Sequence, residues 1–247
     1  MGNLRKPEEI IIEGVSLREL IESHQTWLDN KETGEQLILK DADLRYANLK
    51  NVDLAYTDLN NANLEDANLE GANLMYTNSK YTNLENANLE NANLEGANLT
   101  YADLTYANLR YVNLKNANLT YADLKYANLV CANLEGANLK NANLRYTDLE
   151  NANLENANLE NTKFYLINLY KVNRKDLFEV GSIGSRNDTT HYFVEDNRII
   201  CGCFDDSLEE FEEEVKDTYD KDTREYTEYM IAIDTFKRYK EMYSKIK

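Results

Sequence analysis

The sequence is poor in the residues that punctuate or cross-link small domains. Its 247 residues include one proline, Pro7, three cysteines and two histidines. With so few thiols and no paired CxxC motif, we expect neither a disulfide framework nor a metal site, and no cofactor. No run of 18 apolar residues occurs, so we expect no membrane-spanning helix and no membrane partner. The first ten residues lack the apolar stretch of a secretion signal, which favours a cytoplasmic location.

Positive charge is scarce as well. Lysine and arginine together number 27 against 44 acidic residues, for a net charge of −17 at pH 7. Nucleic acids and anionic membranes are themselves negative, so an acidic surface disfavours both as partners. We therefore expect no direct nucleic-acid binding. The sequence also shows no catalytic constellation, which predicts a protein that is not an enzyme.

What the chain has instead is a five-residue phrase repeated without interruption from Leu39 to Leu169. Twenty-six consecutive phrases are centred on every fifth residue from 44 to 169, and the centre is leucine in 24 of them, the exceptions being Ser79 and Phe164. Two residues earlier stands alanine in 18 phrases, and the residue just before the centre is Asn or Asp in 25. A period of five fits neither the 3.6-residue helix nor the two-residue strand. It indicates a solenoid in which each phrase forms one side of a coil, with the small residue and the leucine pointing inward.

This pattern, A-(N/D)-L-x-x, stands at residues 97–101 and 137–141 and resembles the pentapeptide-repeat family. The resemblance implies a mainly β fold, the right-handed quadrilateral β-helix, with four phrases in each coil. Twenty-six phrases would then form 6.5 coils. At about 4.8 Å per coil the rod would be about 31 Å long.

Four sides per coil place every fourth phrase in the same column. The second residue after each centre faces outward, and three consecutive coils carry tyrosine there in two neighbouring columns. Rings one strand spacing apart can stack, so we expect two tyrosine ladders. They would either stabilise the coils laterally or bind a partner, because tyrosine is enriched at interfaces. The candidate partner-binding residues are Tyr106, Tyr126 and Tyr146 in one ladder and Tyr81, Tyr101 and Tyr121 in the other.

Three domains are expected: residues 1–36, an N-terminal segment with a capping helix; residues 37–173, the β-helix; and residues 174–247, a small α+β module. The capping helix should run from about Leu17 to Asn30, because Ser16 and Glu19 form a capping box. An open solenoid end exposes apolar interior and unpaired strand edges, so this helix is the natural cover.

Within the N-terminal segment, residues 1–15 are expected to be loosely structured, with one short strand at Ile10–Ile12. Trp27 should lie on the apolar face of the helix. His24 is expected to be a helix-surface or interface residue rather than a ligand. Inside the repeat, Ser79 should leave a gap and a local distortion, because a buried hydroxyl needs a partner.

The C-terminal module is expected to contain a loop at Gly181–Arg186 and a hairpin with strands at Thr189–Val194 and Arg198–Phe204, joined by a turn at residues 195–197. Two helices should follow, one from about Leu208 and one over Asp222–Ile246. The apolar face of the second helix comprises Tyr226, Met230, Ile233, Phe236 and Tyr243. This tail resembles the C-terminal segment of some phage-like members of the family, through residues 183–186, 189–190 and 201–204.

Several residues of the module allow other chemistry. His191, Cys201 and Cys203 are candidates for metal ligands or a Cys–His nucleophilic pair, although packing is the favoured interpretation. Arg186 and its neighbouring glycines could bind an anion, but the loop has no phosphate-binding pattern. The acidic run Asp205–Glu214 is interpreted as a solvated helix start.

The leading functional prediction is a non-enzymatic protein-interaction scaffold, a monomer or homodimer with a protein partner. One alternative comes from the resemblance, since some pentapeptide-repeat proteins mimic DNA and bind DNA gyrase or topoisomerase IV. Duplex DNA would carry about 18 charges over the length of this rod, one per about 1.7 Å. Residues 40–170 have a net charge of only −7, and no projecting loop interrupts the phrases. The second alternative is a C-terminal module with a metal or catalytic site.

Overall fold

The computed structural model describes residues 4–163, 169, 172–174, 177–183, 188–194, 196–201 and 204–246. The chain forms two compact units, one built on the repeat and the other on the residues from Arg174 onward. Among the described residues, no helix has the length and apolarity needed to cross a membrane.

The repeat winds into a β-helix in which four phrases make one coil. Parallel bridges join equivalent residues of successive coils, as in Asn83 to Asp103 and Asp103 to Asp123. The N–H of each central residue donates to a carbonyl one coil further on, at 2.7 Å for Leu104 to Asp123. In the described coils the central leucines are buried, as are the small residues before them apart from Ala42 and Val52, which are half-buried. The predicted four-phrase coil is therefore confirmed, and removal of these leucine columns from water stabilises the unit, by roughly 1.5–3 kcal/mol for each buried leucine side chain.

The Asn or Asp before each centre forms two kinds of side-chain hydrogen bond, the second of them only where the residue is asparagine. Its side-chain oxygen accepts from the N–H two residues on, as Asn63 does from Glu65 at 3.0 Å. Its amide donates to the residue one coil earlier, as Asn113 does to Asn93 at 3.0 Å. These columns are amide ladders of the kind that stabilises stacked strands. This outward position is half-buried in most coils.

The coil continues through Ser79. The Ser79 N–H donates to Asn98 at 2.8 Å, in the same register as its neighbours. The buried hydroxyl donates to Thr77 Oγ1 at 3.1 Å, and the Thr77 hydroxyl donates to the Leu74 carbonyl at 2.9 Å. The hydroxyl therefore has its partner without a break in the backbone pairing. The enlarged inward residues expected at Phe164 and Ile167 lie outside the described residues, while Leu169 is buried.

The N-terminal segment is ordered onto the first coil, so the prediction of a loose segment was wrong. A short 3-10 helix, Pro7–Glu9, leads into β1 (Ile11–Ile12), β2 (Val15–Ser16) and α1 (Leu17–Asp29), with β1 and β2 paired. Arg5 donates its N–H to the Tyr46 carbonyl at 2.7 Å and accepts from Asn48 at 2.8 Å. The chain thereby pairs one exposed strand edge with itself. The predicted Ser16–Glu19 capping box at the start of α1 is confirmed.

His24 caps another part of the same edge. It is fully buried on α1, accepts from the Leu37 N–H through Nδ1, and bonds the Ala55 carbonyl through Nε2, both at 3.0 Å. Because Nδ1 accepts, Nε2 carries the proton and donates. In later coils the carbonyl equivalent to that of Ala55 accepts from a backbone N–H of the preceding coil, as Met75 does from Tyr56. At Ala55 the imidazole of His24 replaces that backbone donor. Burial lowers the pKa of His24, which keeps the ring neutral. Trp27 stacks on it at 5.5 Å.

The C-terminal unit is a four-stranded antiparallel sheet with two helices. Its elements are β3 (Leu177–Ile183), β4 (Asp188–Phe193), β5 (Arg198–Cys201), β6 (Phe204–Ser207), α2 (Leu208–Thr218) and α3 (Arg224–Ile246), with the strands ordered β3-β4-β5-β6. Tyr192 and Ile199 pack with Phe211, Ile233 and Phe236 in its core. Ser207 caps α2 through the Glu210 N–H. The two predicted helices are confirmed within two residues, and the face named for α3 is buried or half-buried.

The strands of the C-terminal unit differ from the prediction in two respects. Residues 181–183, expected in a loop, belong to β3, whose register with β4 shifts between Val180 and Ile183 as at a β-bulge. The strand expected over Arg198–Phe204 is two strands, because Cys201 and Phe204 are cross-strand partners close together in the chain. Their spacing is the length of a tight hairpin connection. Residues 184–187 lie outside the described part of the chain, as do 202 and 203.

Candidate functional site: the tyrosine corners

The most distinctive surface of the β-helix is formed by tyrosines at the ends of the phrases. We call the second residue after each centre the corner residue. Corner residues have φ near +60°, a left-handed conformation that glycine, asparagine and aspartate adopt most readily. Ten tyrosines occupy corners, with φ between 53° and 64°. They are Tyr46, Tyr56, Tyr76, Tyr81, Tyr101, Tyr106, Tyr111, Tyr121, Tyr126 and Tyr146.

The two predicted ladders are present. Ring centroids of Tyr101 and Tyr121 lie 4.8 Å apart with planes within 2°, and Tyr81 stacks on Tyr101 at 5.2 Å. In the second ladder, Tyr126 lies 4.8 Å from Tyr106 and 4.7 Å from Tyr146. The geometry therefore confirms the columns assigned from the sequence, whereas partner binding by these rings stays a prediction.

A third stacked pair, Tyr56 and Tyr76, was not predicted as a ladder, although both residues fall in one column. Its rings are 5.4 Å apart. The next corner in that column is Gly96, and a Cβ built there would fall against the Tyr76 ring. Gly136 is covered in the same way by Asn116, whose Oδ1 lies 2.5 Å from the ideal Cβ position. Each corner side chain therefore leans over the corner of the next coil, which is how the rings come to stack.

Tyr111 is a corner tyrosine that is exposed but has no ring stacked on it among the described residues. The corners one coil away from it are Asn91 and Cys131, and in the described part of the structure no ring stacks on it. Its closest aromatic interaction is with Arg110, whose guanidinium lies 5.2 Å from the ring centre. Tyr111 nevertheless holds φ at +57° and leaves 49% of its surface exposed. A bulky residue in this conformation is a genuine outlier, and here stacking does not compensate for it.

Lysine side chains of the protein lie over the faces of several corner rings. The Lys125 ammonium lies 4.9 Å from the Tyr126 ring centre and 5.8 Å from that of Tyr146. Lys80 lies 4.7 Å from Tyr81. These distances fall within the range in which a cation is attracted to the negative face of an aromatic ring. The corners can thus attract positive groups as well as pack against apolar ones.

Other charged residues near the corners are paired along the stack. Lys115 and Glu135 lie 3.0 Å apart, and Lys140 and Glu160 lie 2.7 Å apart, in each case across one coil. The ion pair with Glu135 raises the pKa of Lys115. At the first coil, the hydrogen bond from Arg45 lowers the pKa of Asp43 to about 2. Some of the acidic charge on the rod is therefore neutralised locally.

The residues proposed for chemistry in the C-terminal unit do not form a site together. His191 pairs with Ile200 and Thr190 with Cys201, so His191 and Cys201 project from opposite faces of the sheet. Burial lowers the pKa of His191 to about 4, and the Cys201 sulfur accepts from the Thr190 hydroxyl at 3.0 Å. Among the described residues no group of His, Cys, Asp and Glu could hold a metal ion. Cys203 and Arg186 lie outside those residues.

The acidic run is divided between two elements. Asp205 and Asp206 belong to β6, and Asp205 is paired with Arg198 across the hairpin. Glu209 and Glu210 lie in the first turn of α2, where negative charge is favoured by the helix dipole. A hydrogen bond from Asn197 lowers the pKa of Glu209. The interpretation as a helix start holds for the α2 part of the run only.

Comparison with known families decides what this coil is. The family model for pentapeptide repeats matches residues 38–78, 80–116, 97–136 and 132–169, in 8 copies, and so covers more than half of the chain. The chain belongs to the pentapeptide repeat family. No curated protein matched it in a sequence search.

Solved structures of pentapeptide repeat proteins are similar to part of this chain. HetL, involved in heterocyst differentiation regulation in the cyanobacterium Nostoc sp. strain PCC 7120, is 33% identical, over 56% of this chain and 73% of HetL, with a TM-score of 0.33. Rfr23 from the cyanobacterium Cyanothece 51142 is 26% identical, over 63% of this chain and 95% of Rfr23, with a TM-score of 0.23. QnrB1, a plasmid-mediated fluoroquinolone resistance protein, is 15% identical, over 56% and 84% of the two chains, with a TM-score of 0.25.

Sequence reasoning found the ladders but missed what makes the corners informative. The left-handed conformation was signalled by the Gly, Asn and Asp that fill many corners, since these residues are typical of such turns. With that conformation known, Tyr111 is an outlier, because it is a bulky residue at a left-handed corner and belongs to neither predicted ladder. The capping role of His24 had no such signal, because it depends on which carbonyl lies unpaired at the first coil.

Proposed function

We propose that this pentapeptide repeat protein is a non-enzymatic interaction scaffold whose tyrosine corners bind a protein partner. The observation that supports this most is the combination of strain and exposure at the corners. Asparagine, aspartate or glycine would fit the left-handed backbone better, yet nine of the ten corner tyrosines expose between 39% and 54% of their surface. Exposed aromatic residues on a rigid backbone supply contact area at low entropic cost, which suits binding.

Stacking accounts for part of this pattern only. It stabilises the tyrosines in the three stacked columns, but Tyr111 has no stacked neighbour among the described residues. In the coil from residue 98 to residue 117, three of four corners are tyrosine: Tyr101, Tyr106 and Tyr111. Binding to a partner is a single reason that covers the stacked and the unstacked tyrosines of this coil, and it places the binding surface there and not at Tyr56 and Tyr76.

The scaffold we infer is the right-handed quadrilateral β-helix, with α1 as its N-terminal cap and residues 174–247 as a separate module. We expect it to act in the cytoplasm as a monomer or a homodimer. Mimicry of DNA is less well supported. The corners that would have to imitate a phosphate backbone are tyrosine, asparagine and glycine in most coils, and lysines pair with acids between coils.

The test is a comparison of captured host proteins between two matched variants. Tyr106→Asn/Tyr126→Asn/Tyr146→Asn removes one ladder and inserts the residue that other corners already carry. Tyr56→Asn/Tyr76→Asn removes a stacked pair from another corner column and serves as the control. Both must unfold cooperatively before comparison. The proposal expects a host protein that is bound by wild type and by the control but lost by the triple variant, whereas equal capture by all three would contradict it.

A further inference from the structure

The two longer ladders border the same side of the β-helix. Tyr101 ends one phrase and Tyr106 ends the next, so the phrase between them forms a surface with a ladder along each edge. The same holds one coil further on, between Tyr121 and Tyr126. We call this surface the tyrosine-bordered face. Its outward residues between the ladders are Asn83, Glu85, Asp103, Thr105, Asp123 and Lys125.

Asp103 and Asp123 interrupt the amide ladder on this face. Where an asparagine follows, as at Asn143, its amide donates to Asp123 one coil earlier, at 3.0 Å. Asp123 has no N–H to donate to Asp103, although their backbones are paired. No other acidic residue before a phrase centre is followed by a second one at the same place in the next coil. Like charges directly opposite on neighbouring strands are destabilising, and asparagine at 123 would restore the bond.

No basic side chain among the described residues forms an ion pair with these two carboxylates. Oδ1 of Asp103 accepts from the N–H and hydroxyl of Thr105, and Oδ1 of Asp123 accepts from the N–H of Lys125 and from Asn143. Within the described residues neither aspartate forms an ion pair, and neither Oδ2 has a hydrogen bond. Lys125 is the nearest basic side chain in sequence, but its ammonium lies over the Tyr126 and Tyr146 rings. Asp103 and Asp123, which are paired on neighbouring coils, thus each keep one carboxylate oxygen without a hydrogen bond, between two rows of aromatic rings.

We propose that the tyrosine-bordered face binds an extended, arginine-bearing segment of a partner protein, with a guanidinium seated on Asp103 and Asp123 between the two ladders. This rests on the proposed scaffold function and names the chemistry of its partner. A guanidinium donates in a planar fork that matches carboxylate oxygens, and it also stacks on aromatic rings. The face offers both groups together.

The charge of the molecule fits this partner. The net charge of −17 attracts a basic segment and repels a polyanion. The cation–aromatic contacts of Lys80 and Lys125 show that the corner rings are placed to receive positive groups. A bound guanidinium would also relieve the repulsion between the paired aspartates, which is a stabilisation the free protein lacks.

The experiment uses the full chain and a fluorescein-labelled peptide of four Arg-Ser repeats, with a Glu-Ser peptide as the negative probe. Asp103→Asn/Asp123→Asn is compared with Glu210→Gln/Glu241→Gln, which removes the same two charges from exposed positions of the C-terminal unit. By fluorescence anisotropy at low salt, we expect the aspartate variant to bind the arginine peptide about tenfold more weakly than wild type. The control should stay within about twofold, since exposed distant charges contribute little.

Thermal unfolding provides the second readout. The aspartate variant should melt at or above the wild-type temperature, because asparagine restores the ladder and removes the repulsion. Loss of binding together with equal or greater stability is a combination that a purely structural role for the aspartates would not produce. Binding as tight as wild type by this variant would overturn the proposal, as would no binding of the arginine peptide by wild type.

Two further results separate this inference from the scaffold function. If a host protein is captured through Tyr106, Tyr126 and Tyr146 but the arginine peptide does not bind, the partner chemistry is wrong and the scaffold function stands. If Tyr106→Asn/Tyr126→Asn/Tyr146→Asn captures the same host proteins as wild type, both are wrong. Displacement of the peptide by spermine at equal concentration would show a site for small polyamines, and would overturn the assignment to a protein segment.

Discussion

Replacement of Tyr126 by asparagine should destabilise the protein, whereas the same replacement of Tyr111 should not. Both tyrosines hold left-handed corners, at +57° and +62°, and both would be replaced by the residue most common at the other corners. The relief of backbone strain is therefore the same in the two variants. It is worth up to about 1 kcal/mol, because asparagine tolerates this conformation and a bulky residue does not.

The two variants differ in the stacking that is lost. Tyr126 lies between Tyr106 at 4.8 Å and Tyr146 at 4.7 Å, whereas Tyr111 has no stacked ring in the described structure. An aromatic pair is worth about 0.5–1.5 kcal/mol beyond burial, so Tyr126→Asn loses about 1–3 kcal/mol. We expect Tyr111→Asn to be neutral or slightly stabilising and Tyr126→Asn to be destabilising.

Urea denaturation followed by circular dichroism measures the difference in the free energy of unfolding. The two positions lie three phrases apart in the interior of the stack, so end fraying affects them alike. Equal destabilisation by both variants would refute the reasoning, since it would show that a property shared by the two tyrosines, and not stacking, sets the stability of a tyrosine corner. A stabilising effect of Tyr126→Asn would refute it as well.

Three other changes test the fold. Leu104→Ala should cost about 2–5 kcal/mol of stability, because it opens a cavity in a fully buried leucine column; a urea midpoint within error of wild type would exclude that column from the core. Gly34→Ala should destabilise by clearly more than Gly14→Ala in the same melt, because a Cβ at Gly34 overlaps the Ser23 carbonyl and lies 2.7 Å from the Trp27 nitrogen, whereas a Cβ at Gly14 meets nothing and has only the cost of its positive φ. Because the pKa of His24 is lowered in the folded protein, the unfolded chain binds a proton at mildly acidic pH that the folded protein does not. The stabilisation contributed by His24 is therefore complete above the unfolded pKa of about 6.5 and is lost as pH falls below it, by at most about 1.4 kcal/mol per pH unit. His191 acts in the same direction, so the check is a shallower pH slope of stability between pH 7 and 5 in His24→Gln than in wild type, and an unchanged slope would contradict the capping role.

The coil was predictable because its register is set by repetition. Every phrase presents the same small residue, Asn or Asp and leucine, so a period of five and four sides per coil assign each side chain to a column. The stacked ladders of Tyr101 and Tyr126 follow from that assignment with no further information. Ser79 shows its limit, since the expected distortion was replaced by a hydrogen bond to Thr77 that the pattern does not encode.

The ends of the chain were less predictable, because their structure depends on long-range pairing. Arg5 pairs with Ala47, which is distant in the sequence, and no local pattern announces it. In the C-terminal unit, the sequence from Arg198 to Phe204 alternates well enough for one strand, and only the pairing of Cys201 with Phe204 makes it two. The paired aspartates of the candidate face were visible in the sequence from the start. That they interrupt a column of hydrogen bonds became evident only from the structure, in which asparagine amides of this column donate from one coil to the previous one.

The central claim is that tyrosine corners bind a partner, and footprinting of their side chains tests it most directly. Hydroxyl-radical labelling followed by mass spectrometry would compare the free protein with the protein bound to a host protein captured by wild type. The account predicts strong protection of Tyr101, Tyr106, Tyr121 and Tyr126, with Tyr56 and Tyr76 labelled as in the free protein. Unchanged labelling of the ladders in a complex that has formed would contradict it, and would move the binding surface away from the corners.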